Sequence, residues 1–173
     1  LLLAGLVYGS IAHDVEAMLA DNPQLADYLQ QVAGASLAEV YLATALRMLG
    51  LVVAGFAVAS ALRSRSDEAA GYAEAMLSAR LSRWRWAAGQ VTVTGAASVG
   101  LLALAGLGTG LADAQATGDT SQIPRLVLAA LAQAPAVLVL AGVATALFGW
   151  SPHATPAAWG ALAVMVVVQL FAT

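Results

Sequence analysis

The apolar residues of the chain fall into five runs, which polar or charged stretches separate. The runs cover 1–12, 37–62, 84–111, 123–150 and 157–173. Each of the three middle runs exceeds the roughly 20 residues that a helix needs to cross a bilayer. No stretch alternates with a period of two over the length of a barrel strand, and backbone groups in lipid must be hydrogen-bonded internally. The pattern therefore predicts an all-α fold, a polytopic bundle of transmembrane helices.

The first and last runs are shorter than the others. A helix of 12 residues, the length of the first run, covers about 18 Å, whereas the hydrocarbon core of a bilayer is about 30 Å thick. We therefore expect both terminal helices to be truncated. The whole of 1–173 is then one transmembrane domain and a fragment of a larger membrane protein.

Composition excludes several classes of function. The chain is 61% hydrophobic and only 10% charged, whereas soluble domains carry about 25% charged residues. It has no basic run interleaved with aromatic residues, so the sequence offers no support for nucleic-acid binding. It has no cysteine, which excludes disulfides and thiolate metal sites. These observations predict a multi-pass protein of the cell (inner) membrane that contacts the lipid bilayer directly.

The placement of charge predicts the orientation of the helices. Five of the seven basic residues lie in or beside the 63–83 loop: Arg63, Arg65, Arg80, Arg83 and Arg85. Cytoplasmic loops are enriched in arginine and lysine, so this loop is predicted to be cytoplasmic, together with the turn at 151–156. The segments 13–36 and 112–122 carry acids and are predicted to be external. All four tryptophans then fall at the cytoplasmic interface, where such rings are enriched.

The external segment 13–36 contains a second helix signal. Asn22 can cap a helix whose first residue is Pro23, apolar residues then recur at helical spacing, and Gly34 can end it. One interpretation is an interfacial helix that lies on the outer membrane surface. The alternative is a helix that only packs against its neighbours.

The cytoplasmic loop 63–83 also has the pattern of a short amphipathic helix. Asp67 and Glu68 stand at its start and Arg80 near its end, which suits the helix dipole. Such a helix between two membrane spans can transmit force from a soluble partner. The alternative is a solvated connector whose arginines only set the topology.

This loop carries a motif that extends beyond helix periodicity. Asp67, Glu68, Gly71 and Glu74 form an acidic-acidic-x-x-Gly-x-x-Glu pattern, which Leu77 and then Ser-Arg-Trp-Arg-Trp at 82–86 follow. The order resembles the permease subunit of type-II ABC exporters, and within them the actinobacterial exporters of polyketides and other antibiotics. Further matches are Asp21-Asn22-Pro23, Pro135-Ala136-Val137, Leu147-Phe148-Gly149, Pro152 and Trp159.

The resemblance covers the whole chain and implies a place in the second half of a longer permease. It implies export of a hydrophobic or amphiphilic, drug-like compound, with a separate ABC ATPase subunit and the other half of the permease as partners. ATP and magnesium would be bound by that ATPase, and this chain would bind no cofactor. The implied ATPase-coupling residues are Asp67, Glu68, Gly71, Glu74, Leu77 and Arg83. In agreement, the chain contains no G-x-x-x-x-G-K-[ST] motif.

Three residues inside the predicted spans are candidates for a substrate path or a hinge. Arg47 would be costly in lipid, by about 2.5–3.5 kcal/mol at mid-membrane, so it should face protein or water or extend to the surface. Its distance from Glu39, about 12 Å along the helix, makes that acid a poor partner. Pro135 should kink its helix, as a hinge or as a static bend, and Gln133 could bond across helices. Gly106 and Gly110 form a GxxxG pair that favours close helix packing.

An enzyme is the weaker interpretation. His13 and His153 are the two histidines, and the predicted topology places them at opposite faces of the membrane, without metal-ligand spacing. Ser151-Pro152-His153 fits a turn better than a nucleophile and its base. A structural or assembly subunit of the membrane is a further alternative that composition alone does not exclude.

Overall fold

The computed structural model describes residues 1–20, 37–69, 83–150 and 155–171. These residues form six helices and no strand: α1 (Leu2–Ala20), α2 (Leu37–Ala69), α3 (Arg83–Thr117), α4 (Gln122–Leu131), α5 (Ala134–Trp150) and α6 (Thr155–Phe171). The prediction of an all-α fold is confirmed. The predicted external helix, most of the predicted coupling helix and the turn residues 151–154 lie outside the described residues.

Three helical stretches among the described residues are long and apolar enough to cross a membrane. They are Glu39–Arg63, Ala88–Thr117 and Gln122–Ala146. Two shorter apolar helical stretches, Leu2–Ala12 and Trp159–Val168, flank them in the chain. The three middle spans correspond to the three long apolar runs of the sequence.

Several helices extend beyond the apolar runs that predicted them. The first continues past residue 12 to Ala20, and α2 continues past Leu62 to Ala69. The end of a hydrophobic run marks where a helix leaves the bilayer, whereas a helix itself ends at a stop signal. Between Leu62 and Gly71 there is no glycine or proline to provide one. Asp67 and Glu68 therefore belong to the last turn of α2 rather than to the start of a separate helix.

The predicted helix 123–150 consists of two helices. The first, α4, ends at Leu131, and α5 begins at Ala134, with Ala132 and Gln133 in a turn between them. The amide of Gln133 bonds to the carbonyl of Ala130, three residues back, at 3.2 Å. Pro135 has no N–H with which to continue the ladder of α-helical bonds, and it disfavours helical dihedrals in the residue before it. The structure thus has two helices separated by a turn just before Pro135, where the sequence predicted one continuous helix with a kink.

The contacts of the chain divide it into two compact units. The first comprises Leu1–Gly50 and Gly100–Gln133, and the second comprises Leu51–Val99 and Ala134–Thr173.

The first unit packs around small residues of α3. A Cβ added to Gly108 or Gly5 would meet the backbone of the other helix, so α1 and α3 touch nearly backbone to backbone. On another face of α3, a Cβ at Gly106 would lie 2.7 Å from the Cα of Val127, and one at Gly110 would lie 2.9 Å from the Cα of Ile123. Close packing at the GxxxG pair, which the sequence predicted, is therefore confirmed, with α4 as the neighbour.

Among its described residues, the second unit has an aliphatic core with two buried hydroxyl groups. Its buried apolar residues recur at helical spacing on α2 and α5: Val53, Ala54, Ala57, Val58, Ala61, Val137, Leu140, Ala141 and Ala144. On α3, Thr94 and Ser98 are buried, and the Ser98 hydroxyl donates to the carbonyl of Thr94 at 2.8 Å. Since a hydroxyl bonded within its own helix needs no other partner, it is compatible with an apolar surrounding.

Candidate functional site

A cavity of about 350 Å³ lies in the first unit, where three helix ends meet. The first turns of α2, the last turns of α3 and the first turns of α4 surround it. The described residues that line it are Glu39, Ala43, Leu46, Asp113, Thr117, Asp119, Gln122, Arg125, Leu126 and Ala129. These three ends share one side of the predicted topology, the side that acidic loops mark as external.

An ion pair joins two walls of the cavity. Arg125 Nη2 of α4 lies 3.4 Å from Glu39 Oε1 of α2. The two side chains are 68% and 52% exposed, so water screens the pair and it contributes at most about 1 kcal/mol to stability. Its main effect is electrostatic, because the positive charge of the Arg125 guanidinium offsets the negative charge of the Glu39 carboxylate.

The loop between α3 and α4 has a well-defined local structure. Gly118 has a φ of 74° and its amide bonds to the carbonyl of Ala114 at 3.0 Å, which ends α3 in the left-handed conformation that glycine adopts without strain. Asp119 then accepts from the amide and from the hydroxyl of Ser121, each at 2.9 Å. Proline at position 124 follows in the first turn of α4, where a missing N–H costs nothing.

The same hydrogen bonds determine the charge of Asp119. The Ser121 hydroxyl and then the Ser121 amide stabilise the carboxylate, and they hold the pKa of Asp119 below its usual range. Asp119 therefore remains ionised at neutral pH. The stabilisation from these bonds is present above the unfolded pKa and is lost only as the pH falls through the lower pKa of the folded state.

The polarity of the lining changes along the helices. On α2, Glu39 comes first, and Ala43 and Leu46 follow four and seven residues later, or about 6 and 10 Å farther along the axis. On α4, Gln122 and Arg125 precede Leu126 and Ala129. The cavity is consequently charged at the helix ends and apolar toward the middle of the helices.

A hydrogen bond between helices lies just beyond the apolar end of the cavity. The side-chain amide of Gln133 donates to the carbonyl of Leu46 at 3.0 Å, which confirms that Gln133 bonds across helices. Gly50 makes this approach feasible, because a Cβ at that position would occupy the space of the Gln133 side-chain oxygen. Leu46 is thereby tied to the turn that separates α4 from α5.

The other predicted hinge or substrate-path residues do not line the cavity. Arg47 is exposed on α2, next to the lining residue Leu46 but on a different face. Pro135 is the second residue of α5. Glu39, the acid considered as a partner of Arg47, pairs with Arg125 instead. A role of Arg47, Gln133 or Pro135 in transport stays a prediction.

The predicted coupling residues are only partly described. Asp67 and Glu68 lie in the last turn of α2, and Arg83 is the first residue of α3. Gly71, Glu74 and Leu77 lie outside the described residues. Their role in coupling to an ATPase therefore stays a prediction.

In the sequence, Asp113 and Asp119 served only as topology markers, and Glu39 was considered only as a poor partner of Arg47. The signal that could have identified the site was the occurrence of Glu39 and Arg125, two opposite charges in predicted spans, at the same predicted end of the bundle. The close packing of Gly5 and Gly9 against α3 was also not predicted, although their spacing is the same as that of Gly106 and Gly110. A Cβ added at either glycine would collide with atoms of α3. Within the described ranges, no three carboxylates or histidines are grouped in a way that could hold a metal ion.

Comparison with known proteins gives a family for the whole chain. Residues 1–173 match the family described as "Multidrug efflux system permease Rv1217c, C-terminal domain". The chain is 36% identical over 172 residues to the multidrug efflux system permease protein Rv1217c of Mycobacterium tuberculosis (strain ATCC 25618 / H37Rv). The alignment covers 98% of this chain and 31% of that relative, so the chain spans about a third of the relative's length. No solved structure matches the chain.

Apolar helices of spanning length indicate a membrane protein, and the match extends over every helix that the structure describes. The chain therefore belongs to the family of multidrug efflux system permease C-terminal domains.

Proposed function

We propose that the chain is the carboxyl-terminal, membrane-spanning part of the permease of an ATP-driven exporter. The exporter moves hydrophobic or amphiphilic, drug-like compounds out of the cell across the cell (inner) membrane. The observation that carries this proposal is the combination of three apolar helical stretches of spanning length, among the described residues, with membership of a multidrug efflux permease family along the full chain.

The energy source in this proposal lies on another protein. A separate ABC ATPase subunit binds ATP and magnesium, and the loop 63–83 meets that subunit through Asp67, Glu68, Gly71, Glu74, Leu77 and Arg83. The other half of the permease completes the translocation path. The ordered motif in the loop and the absence of a P-loop from these 173 residues support this division of labour.

A transport assay in cells tests the proposal. The full-length permease is expressed with the proposed ABC ATPase subunit in a host that lacks other drug exporters, and intracellular accumulation of a hydrophobic fluorescent dye is measured. We expect lower accumulation than in control cells, and a return to the control level when the P-loop lysine of the ATPase is substituted. Equal accumulation with normal membrane abundance would contradict the proposal and favour a structural or assembly subunit.

A second variant tests the enzyme alternative in the same cells. His153 belongs to a predicted turn, so His153→Ala should leave dye accumulation as low as the unaltered exporter does. Loss of all activity at normal membrane abundance would instead support a catalytic role for the Ser151-Pro152-His153 segment.

A further inference from the structure

We propose that the cavity between α2, α3 and α4 binds an amphiphilic organic cation. Its charged group lies among the carboxylates of Glu39, Asp113 and Asp119, and its apolar body lies against Leu46, Leu126 and Ala129. This inference rests on the proposed function and names the class of substrate that the exporter accepts at the end of the bundle predicted to be external.

The cavity has the size and the mixed lining of a small-molecule site. Its volume of about 350 Å³ is within the range of about 300–1,000 Å³ in which ligand pockets fall. Four lining residues are apolar and lie toward the middle of the helices: Ala43, Leu46, Leu126 and Ala129. A ligand that is apolar at one end would bury that end against them, at a gain of about 25 cal/mol for each Å² of apolar surface removed from water.

The charge of the lining selects a cation. Three carboxylates, Glu39, Asp113 and Asp119, face one guanidinium, that of Arg125. Arg125 is in contact with Glu39, and the described lining residues together carry more carboxylates than guanidinium groups. The Ser121 hydrogen bonds keep Asp119 ionised. The side chains of Glu39 and Arg125 are largely exposed, so water screens these charges and each one changes the binding of a cation by only a severalfold factor.

The spread of the carboxylates favours an organic cation over a metal ion. Glu39 belongs to α2, Asp113 to the last turns of α3, and Asp119 to the loop before α4. Within the part of the chain that the structure describes, they are not close enough together to form a metal site. A delocalised or bulky cation needs no short coordinating bonds, and it can interact with separate carboxylates while its apolar groups contact the remaining wall.

A pair of probes with opposite charge tests the selection. Tetraphenylphosphonium and tetraphenylborate have nearly the same size and apolar surface, and they differ in the sign of their charge. Binding of each is measured by equilibrium dialysis against the full-length permease in lipid nanodiscs, with empty nanodiscs subtracted. We expect saturable binding of the cation, at one site per permease, and no saturable binding of the anion.

Variants of the ion pair distinguish an electrostatic role from a structural one. Glu39→Gln and Asp113→Asn should each weaken binding of the cation about fivefold, whereas Arg125→Gln should strengthen it by a similar factor. Glu39→Gln and Arg125→Gln both break the same ion pair, so a purely structural role of the pair predicts weaker binding in both. Asp14→Asn is the control, because Asp14 is exposed on α1 and does not line the cavity.

The outcomes separate this inference from the proposed function. If the exporter lowers dye accumulation in cells but the three cavity variants and Asp14→Asn bind the cation equally, the cavity inference is wrong and the transport proposal stands. Saturable binding of the anion at the same site would also overturn the inference. If cation binding changes as expected and no transport is detected, the cavity is a cation site and the transport proposal fails.

Discussion

At the scale of single residues, glycines determine which contacts form in the first unit, because they have no side chain to keep neighbouring helices apart. Gly5 and Gly108 let two helix backbones approach each other, and Gly50 leaves room for the Gln133 side chain. At Gly100, on the same helix as Gly108, a Cβ would meet no described atom within 4 Å other than its chain neighbours and the nearby backbone of its own helix. Substitution of alanine should therefore destabilise the protein at some of these glycines and stabilise it at others, although the chemical change is the same.

Gly5→Ala should destabilise the permease. Its new Cβ would lie 2.6 Å from the Ala105 carbonyl oxygen and 3.0 Å from the Thr109 nitrogen, and both atoms belong to the backbone of α3. Relief requires a helix shift, at a cost of about 1–3 kcal/mol. Gly100→Ala is the matched control and should stabilise by up to about 1 kcal/mol through helix propensity. The measurement is thermal unfolding of the purified full-length permease, and an equal effect of the two substitutions would show that α1 does not pack against α3 in this way.

Gly50→Ala and Gln133→Ala should be coupled. The first introduces a methyl group into space that the Gln133 side-chain oxygen occupies, and the second removes the hydrogen bond to the Leu46 carbonyl, which in membrane proteins contributes about 0.6 kcal/mol on average. In the double variant the methyl group fits the vacated space. The loss of stability should thus be smaller than the sum of the two single losses, by about 0.5 kcal/mol or more. Additive losses would contradict the contact.

At the scale of elements, α3 packs closely against two neighbouring helices, α1 and α4. Its residues Ala105, Gly108, Thr109 and Ala112 meet α1, and Gly106 and Gly110 meet α4. Thr109 is fully buried between the two faces, and its hydroxyl lies within hydrogen-bonding distance of two carbonyls of its own helix. Small residues on two faces of α3 thus allow α1 and α4 to pack closely against it.

The predicted coupling helix in the loop 63–83 is the element whose function is most directly testable. Glu74→Lys should leave membrane insertion and abundance unchanged, because a more basic loop strengthens the positive-inside signal. If Glu74 meets basic groups of the ATPase, reversal of its charge places like charges together at a cost of several kcal/mol. Association of the ATPase, measured by co-purification, and ATP-dependent export should then fall sharply.

Asp14→Lys provides the control for that substitution. It makes the same change of charge on α1, at the predicted opposite side of the membrane, and should leave ATPase association unchanged. Normal association and export in the Glu74→Lys protein would show that the loop is only a connector between α2 and α3.

At the scale of the whole molecule, the alternation of the helices across the membrane is the property to be tested. The structure brings together the start of α2, the end of α3 and the start of α4 around one cavity. The charge bias of the loops predicts that this side is external and that 63–83 is cytoplasmic. The two statements are independent, because the packing of helices does not depend on which side faces the cytoplasm.

Cysteine labelling measures the orientation directly. The chain has no cysteine, so single cysteines at Ser66 and Thr117 can be introduced without background. In intact cells a membrane-impermeant thiol reagent should label the variant at 117, in the cavity lining, and should not label the variant at 66 until the cells are opened. Labelling at 66 alone would reverse the orientation of every helix and place the cavity at the cytoplasmic side.

The sequence by itself determined the features that depend on neighbouring residues. Apolar runs of sufficient length predicted the three spans, the GxxxG spacing predicted close packing at Gly106 and Gly110, and Pro135 predicted a kink close to where α4 gives way to α5. Each follows from a local cause, namely transfer into lipid, lack of side-chain bulk or a missing N–H.

Only the tertiary structure decided which distant residues meet. Glu39 and Arg125 are 86 residues apart in the chain, and Leu46 and Gln133 are 87 apart. Their contacts depend on the rotation and register of α2 against α4, and several helices whose apolar faces are alike could satisfy the same hydrophobic pattern. The cavity arises from that register, together with the close approach that Gly106 and Gly110 permit, and for this reason the sequence alone did not show that its acids lie around one cavity.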